Sequence, residues 1–170
     1  LFDACAQAGV QRVVHISALG IDGSNTRYAQ TKRAAEAHLQ TLATQAKLRP
    51  AILRPSVVYG KGGDSSALFM NLARLPLALF PGPMLTARVQ PVSVHDLAAA
   101  VVALLGPALE HTGTIDCTGP EALTMGAFIA SLRQQLGHSP ATVLRLPQPL
   151  TTLSARLGDA VPQSPWCSET

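Results

Sequence analysis

Hydrophobic positions along the chain switch between two periods. "RVVHIS" (12–17) and "RPAILRPSVVYG" (49–60) are continuous apolar runs, as in strands buried on both faces. Pro55 sits late in the second run, where ladder pairing must be ending. "RVQPVSV" (88–94) alternates like a short strand, and 113–119 and 141–147 read as two more. Residues 2–8 carry helical spacing, with Gly9 placed as a C′ stop. A long helix follows over roughly 27–46, then others at 66–75, 124–137 (ending at Gly137) and 149–158. His95-Asp96 opens the helix "LAAAVVALL", with Asp96 as its expected N-cap. Strands alternating with helices predict an α/β fold around a parallel sheet. No internal repeat is present. The insertions 61–93 and 119–170 read as a second, smaller lobe beside 1–60 and 94–118.

The long helix carries the candidate chemistry. Tyr28 and Lys32 stand one turn apart within "SNTRYAQTKRAAEAHL". Such spacing arises often by chance. Here positions 28, 32, 35, 39, 42 and 46 hold Tyr, Lys, Ala, Leu, Leu and Ala, one stripe on one face. A solvated pair would lie opposite the leucines, so Lys32 is expected to point toward the sheet. That places it beside the carboxyl ends of strands, where open α/β sheets bind ligands. A phenol with an ordinary pKa near 10 is a poor acid–base at neutral pH. An ammonium one turn away favours its phenolate. The tuned phenol can then pass a proton to a carbonyl oxygen, or take one from an alcohol, as hydride moves. Ser17, at the end of the first strand, can fold back to hold the same oxygen. The expectation is a phenol and an ammonium that share an inward orientation and converge with the serine hydroxyl.

Composition removes several other classes. Of 170 residues, 47% are hydrophobic and 14% charged, which argues against disorder. The net charge of +3 comes from scattered basic residues without a run, so no nucleic-acid partner is expected. Cys5, Cys117 and Cys167 form no CxxC, and the five histidines form no HxxxH or HExxH. Neither a metal site nor a disulfide framework is expected, and free thiols suit a reducing cytosol. "GKGGD" (60–64) lacks P-loop spacing and reads as a turn.

Taken in order, "RVVHISALG", "YAQTKRAAE", "LRPSVVYGKGGD", "QPVSVHDLAAAVVALL" and "DCTGPEALTMGAFI" resemble short-chain dehydrogenase/reductases of the extended and atypical branches. The nearest likeness is to the subgroup of the nucleotide-binding accessory subunit of respiratory complex I. The resemblance implies the C-terminal part of a Rossmann-like doubly wound sheet in 1–60 and 94–118, carrying strands 5, 6 and 7, plus a small substrate lobe. It implies NAD or NADP as cofactor. Tyr28 would be the acid–base and a contact to the cofactor. Lys32 would bind the nicotinamide ribose and tune Tyr28, and Ser17 would be the hydroxyl partner. Pro55, Ser56 and Val57 would line the nicotinamide end. His95 and Asp96 match a segment that docks the small lobe. The Gly-rich phosphate loop is expected upstream of Leu1, in a parent of about 300 residues. The 170-residue piece alone is then expected to fold poorly and to bind NAD(P)H very weakly.

Two functions compete at this point. One is an NAD(P)-dependent oxidoreductase or epimerase-like enzyme acting on a carbonyl or alcohol of a small molecule. The other is a non-catalytic NAD(P)-binding accessory or assembly factor of a quinone-linked respiratory or biosynthetic complex. The apolar run "LFMNLARLPLALFPGPML" (68–85) is broken by Arg74, Pro76, Pro81 and Pro83, so it reads as packing of the small lobe and not a membrane span. The sharper alternative is a surface for a quinone-like ligand or a membrane edge. The expected location is cytoplasmic, with membrane association allowed by that alternative. Oligomeric state, substrate and the choice between NAD and NADP stay open.

Overall fold

A computed structural model describes residues 1–106 and 111–146. Its elements, in chain order, are α1 (Phe2–Gln7), β1 (Arg12–Ile16), a 3-10 turn (Ile21–Gly23), α2 (Arg27–Thr44), β2 (Arg49–Pro55), β3 (Val58–Tyr59), α3 (Asp64–Arg74) and β4 (Leu77–Pro81). They continue as α4 (Gly82–Thr86), β5 (Arg88–Val89), β6 (Val92–Ser93), α5 (Val94–Leu105), β7 (Gly113–Cys117), β8 (Leu123–Thr124), α6 (Met125–Gln135) and β9 (Thr142–Leu146). The helix expected at 149–158 lies outside the described residues.

The chain divides into two compact units, residues 1–67 with 89–122, and 68–88 with the described part of 123–170. Residues 61–67 and 89–93 join the first unit for a local reason. Ser66 is buried there and its Oγ accepts from Gly60 N at 3.1 Å. β6 lies parallel to β3, with Val92 opposite Val58.

In the first unit, β1, β2 and β7 form a parallel sheet in the order β1–β2–β7. Alternation along each strand sends side chains to opposite faces. Val13 and Ile52 pack with Leu39, Leu42 and Leu48, and with Phe2 and Cys5 of α1. Val14, Ile16, Ala51 and Leu53 pack with Leu97, Val101 and Leu104 of α5. The sheet is therefore covered on both faces, which is the expected α/β arrangement. Leu39, Ile52 and Leu53 are fully buried, each stabilising the fold by about 1.5–3 kcal/mol. Pro55 pairs with Cys117 as the last register of the β2–β7 ladder, where its missing N–H does least harm.

Two local expectations change just ahead of α5. The strand expected over 88–94 is two short bridges, because Pro91 cannot donate and Gln90 N is taken by Ser56 Oγ at 3.2 Å. Asp96 does not cap α5. Ser93 does, its hydroxyl accepting from His95 N at 3.1 Å, because the helix starts as soon as β6 ends. Asp96 instead sits in the first turn, where its charge suits the helix dipole. The apolar run 68–85 spans most of α3, the strand β4 and most of the short helix α4. Pro81 falls at the end of β4 and Pro83 in the first turn of α4, two places where a missing N–H is tolerated.

In the second unit, β4 pairs in parallel with β9, from Leu77 opposite Thr142 to Pro81 opposite Leu146. Phe69 and Phe128 meet edge to face at 5.6 Å. Arg133 is buried on α6, and its guanidinium donates to Ala73 O (2.9 Å) and Leu75 O (3.0 Å). It thus closes orphan carbonyls at the C-terminus of α3. No helix among the described residues is long and apolar enough to cross a membrane.

α2 stops earlier than expected, at Thr44, and Ala46 takes the left-handed conformation at φ 55°. Ala46 N donates to Ala43 O and Lys47 N to Leu42 O, the bonds that glycine usually makes at a helix stop. A Cβ in that region costs roughly 1–2 kcal/mol, part of which glycine's extra unfolded-state entropy offsets. Ala46→Gly is therefore expected to raise stability by about 0.5–1 kcal/mol. A urea midpoint that fails to rise, at unchanged slope, contradicts this.

Candidate active site

Ser17 follows directly from β1 and extends its ladder, its N–H donating to Leu53 O at 2.7 Å. The residue is 3% exposed, and its Oγ has no hydrogen-bond partner among the described residues. The loop beyond is tied to the same sheet edge, with Leu19 N donating to Pro55 O at 2.9 Å. Arg33 of α2 fastens the 3-10 turn by donating to Ile21 O and to Ser24 O. Thr26 caps α2, its Oγ1 accepting from Ala29 N at 3.3 Å.

One turn into α2, the Lys32 ammonium donates to Ile16 O at 2.7 Å. The inward aim expected of Lys32 is thus realised at the carboxyl end of β1. The same Nζ lies 5.7 Å from the centre of the Tyr28 ring. Tyr28 itself departs from the expected inward orientation, being 57% exposed. It stands in the first turn, ahead of the leucines that bury the rest of the stripe, and only Ala29 of that turn is buried. Lys32 and Ser17 are therefore brought together at the strand end, with the phenol alongside the ammonium and open to solvent.

Pro55, Ser56 and Val57 leave β2 beside this edge. Most of their polar groups are already engaged. Ser56 N donates to Cys117 O (2.9 Å), Ser56 Oγ accepts from Gln90 N, and Val57 O accepts from Val92 N (2.9 Å). What these residues offer a ligand is a fixed wall more than a set of donors.

Sequence reading missed a charged group under α2. Arg54 of β2 donates from Nε to Glu36 Oε1 (2.9 Å) and from Nη2 to Glu36 Oε2 (2.5 Å). Its Nη1 donates to Asp22 Oδ2 at 2.7 Å. Glu36 is 3% exposed. The Arg54 guanidinium holds the Glu36 carboxyl below the usual carboxylate range, against burial, which pushes it up. The Ser17 hydroxyl adds to the lowering, although its Oγ closes no hydrogen bond of normal geometry. Two signals pointed this way. An arginine within a buried strand needs a counter-charge, and Glu36 lies one turn beyond Lys32 on the same face.

His15 was also missed. It lies on β1, edge to face with Phe2 at 5.5 Å, and its buried Nε2 has no partner among the described residues. Burial first, then the nearby Lys32 charge, lowers its pKa, while Glu36 opposes the shift. Both depressed groups act in one direction. His15 is neutral in the fold, so its contribution is complete above its ordinary 6.5 and is lost as pH falls below that toward its folded value. Ionised Glu36 contributes fully above its ordinary 4.5, and that is lost as pH falls through its lower folded value. The melting temperature is expected to fall from about pH 6.5 downward and more steeply below about 4.5. His15→Gln should flatten the first segment only. A flat profile between neutrality and about pH 5 would refute this.

The sequence profile of the NAD dependent epimerase/dehydratase family matches residues 1–115. No curated protein matches the chain. Solved structures do. The UDP-glucose 4-epimerase of Thermus thermophilus, in complex with NAD, is 23% identical with a TM-score of 0.64, over 92% of this chain and 61% of that one. The UDP-glucuronic acid 4-epimerase of Bacillus cereus, in complex with NAD, is 21% identical with a TM-score of 0.72, over 85% and 53%. A dTDP-glucose 4,6-dehydratase double mutant from Streptomyces venezuelae, with NAD bound, is 21% identical with a TM-score of 0.67, over 86% and 50%. At such identities the likeness is one of fold. The chain spans between half and about three fifths of the length of these proteins. The comparisons reach the family and not the complex I accessory-subunit branch, and none of these neighbours is described as binding a quinone.

Proposed function

The chain belongs to the NAD-dependent epimerase/dehydratase family, and from that membership we propose that it carries the proton-transfer site of an enzyme acting on a nucleotide-linked sugar. The observation that carries this reading is the Lys32 ammonium seated on Ile16 O, with the Tyr28 ring beside it and the buried Ser17 hydroxyl one residue farther along β1. NAD, when bound, supplies the hydride acceptor and donor. The residues present fit its nicotinamide end. Lys32 keeps two N–H donors beyond the one spent on Ile16 O. Pro55, Ser56 and Val57 provide a wall whose shape is set by bonds across the sheet. No strand-to-helix turn among the described residues carries the G-x-G-x-x-G that cradles a pyrophosphate, so the fit is to that end alone.

In this reading Tyr28 takes the proton of a sugar alcohol and returns it to a carbonyl oxygen. Ser17, at the end of β1, holds the reacting oxygen. The described residues of 1–67 and 89–122 serve as the nucleotide side, and 68–88 with 123–146 as the sugar-binding lobe.

The test is direct. Protein in which these residues are joined to a G-x-G-x-x-G phosphate loop is purified, supplied with NAD and incubated with UDP-glucose, UDP-galactose, UDP-glucuronic acid and dTDP-glucose, and products are separated by chromatography. Conversion of at least one is expected, with transient absorbance at the reduced-nicotinamide wavelength. Tight NAD binding without conversion of any would overturn the reading and favour the non-catalytic accessory role.

A further inference from the structure

The N-terminal half of α2 lacks what usually fixes a helix on a sheet. From Arg27 to Glu36 its buried residues are Ala29 and Glu36, and the leucines begin at Leu39. Something other than apolar packing must set the rotation of this half about its axis. The Arg54 guanidinium is placed to do so. It grips Glu36 of α2 with two parallel bonds and reaches Asp22 in the loop between Ser17 and Tyr28. Arg54 is itself fixed in the central strand of the sheet, one residue before Pro55. One side chain thus joins the strand that leads to Pro55–Val57, the loop after Ser17 and the helix that bears Lys32.

We infer that Arg54 and Glu36 are positioning residues that hold the Lys32 ammonium at the end of β1. The inference rests on the role proposed above for Lys32. Residues i and i+4 lie one above the other on a helix face. Anchoring Glu36 inward therefore aims Lys32 at the same sheet, where it meets Ile16 O. A planar two-pronged contact fixes direction as well as distance, which a single point charge does not. Arg33 assists from the outer side of the turn through Ile21 O and Ser24 O.

The chain holds three lysines, Lys32, Lys47 and Lys61, so ¹³C-lysine labelling gives a readable spectrum. In the wild type the two ε-methylene protons of Lys32 should be inequivalent, as in a held side chain. Lys47 and Lys61 are exposed and should each give one averaged signal. The double variant Glu36→Gln with Arg54→Leu removes both charges and leaves neither ion unpaired. Its Lys32 protons are expected to collapse to one signal while amide dispersion is kept. Arg54→Lys, which keeps a charge but loses the fork, should do the same if the double variant does not fold. Persistence of the inequivalence in a folded variant overturns the inference.

Turnover provides the second readout. The double variant should lose about 10²-fold in kcat with KM changed by less than about twofold. Recovery of kcat in a variant whose melting temperature is restored would mean a structural role only, and would also overturn it. If the Lys32 signals collapse as expected but the wild type converts no sugar nucleotide, the proposed function fails and the positioning stands.

Discussion

Tyr28→Phe should lower turnover by about 10²–10⁴-fold while leaving NAD affinity nearly unchanged. The substitution deletes one oxygen and keeps the ring that lies beside Lys32. The ammonium is held by Ile16 O independently of the phenol, so its position should survive. Only the proton transfer is lost. Steady-state kcat and the dissociation constant for NAD, measured on the same preparation, separate the two effects. A variant retaining more than about a tenth of wild-type turnover would assign the proton transfer to another group. A variant that loses NAD binding as well would mean that the phenol serves the cofactor and not the chemistry.

Arg54→Leu should destabilise the first unit by about 3–5 kcal/mol. The substitution leaves the Glu36 carboxylate 3% exposed and without its counter-ion, beside the apolar contacts of Leu39 and Ile52. Breaking one side of a buried pair costs far more than the pair itself contributes, because the remaining charge has lost water and gained nothing. Glu36→Leu in the same chain should therefore restore most of the loss. Acid should also shrink the gap, since an unpaired Glu36 takes up a proton more readily than the paired one. Urea unfolding at neutral pH and near pH 4.5 measures both effects. A loss under about 1 kcal/mol, or one unchanged by acid, would show that water reaches Glu36 once the arginine is gone.

How far these residues could be read in advance depends on the range of the forces involved. Gly9 and Gly137 were legible as helix stops, and both take positive φ, because a helix end is decided within a few residues. The same local logic misjudged the cap of α5. Ser93 and Asp96 are both good capping residues, and the end of β6, a pairing with distant β3, chose between them. The strand expected over 88–94 failed likewise, since Gln90 N is claimed by Ser56, 34 positions away.

Sequence alone determined the alternation of buried strands and one-sided helices and the inward aim of Lys32, for each follows from a period that acts along the chain. Only the tertiary structure decided that Arg54 would find Glu36 and Asp22, 18 and 32 positions away, and that Tyr28 would stand open to solvent. The register of β2 against β1 and the seating of α2 bring those charges together. No local pattern encodes which of several arginines and carboxylates will meet once the strands have paired.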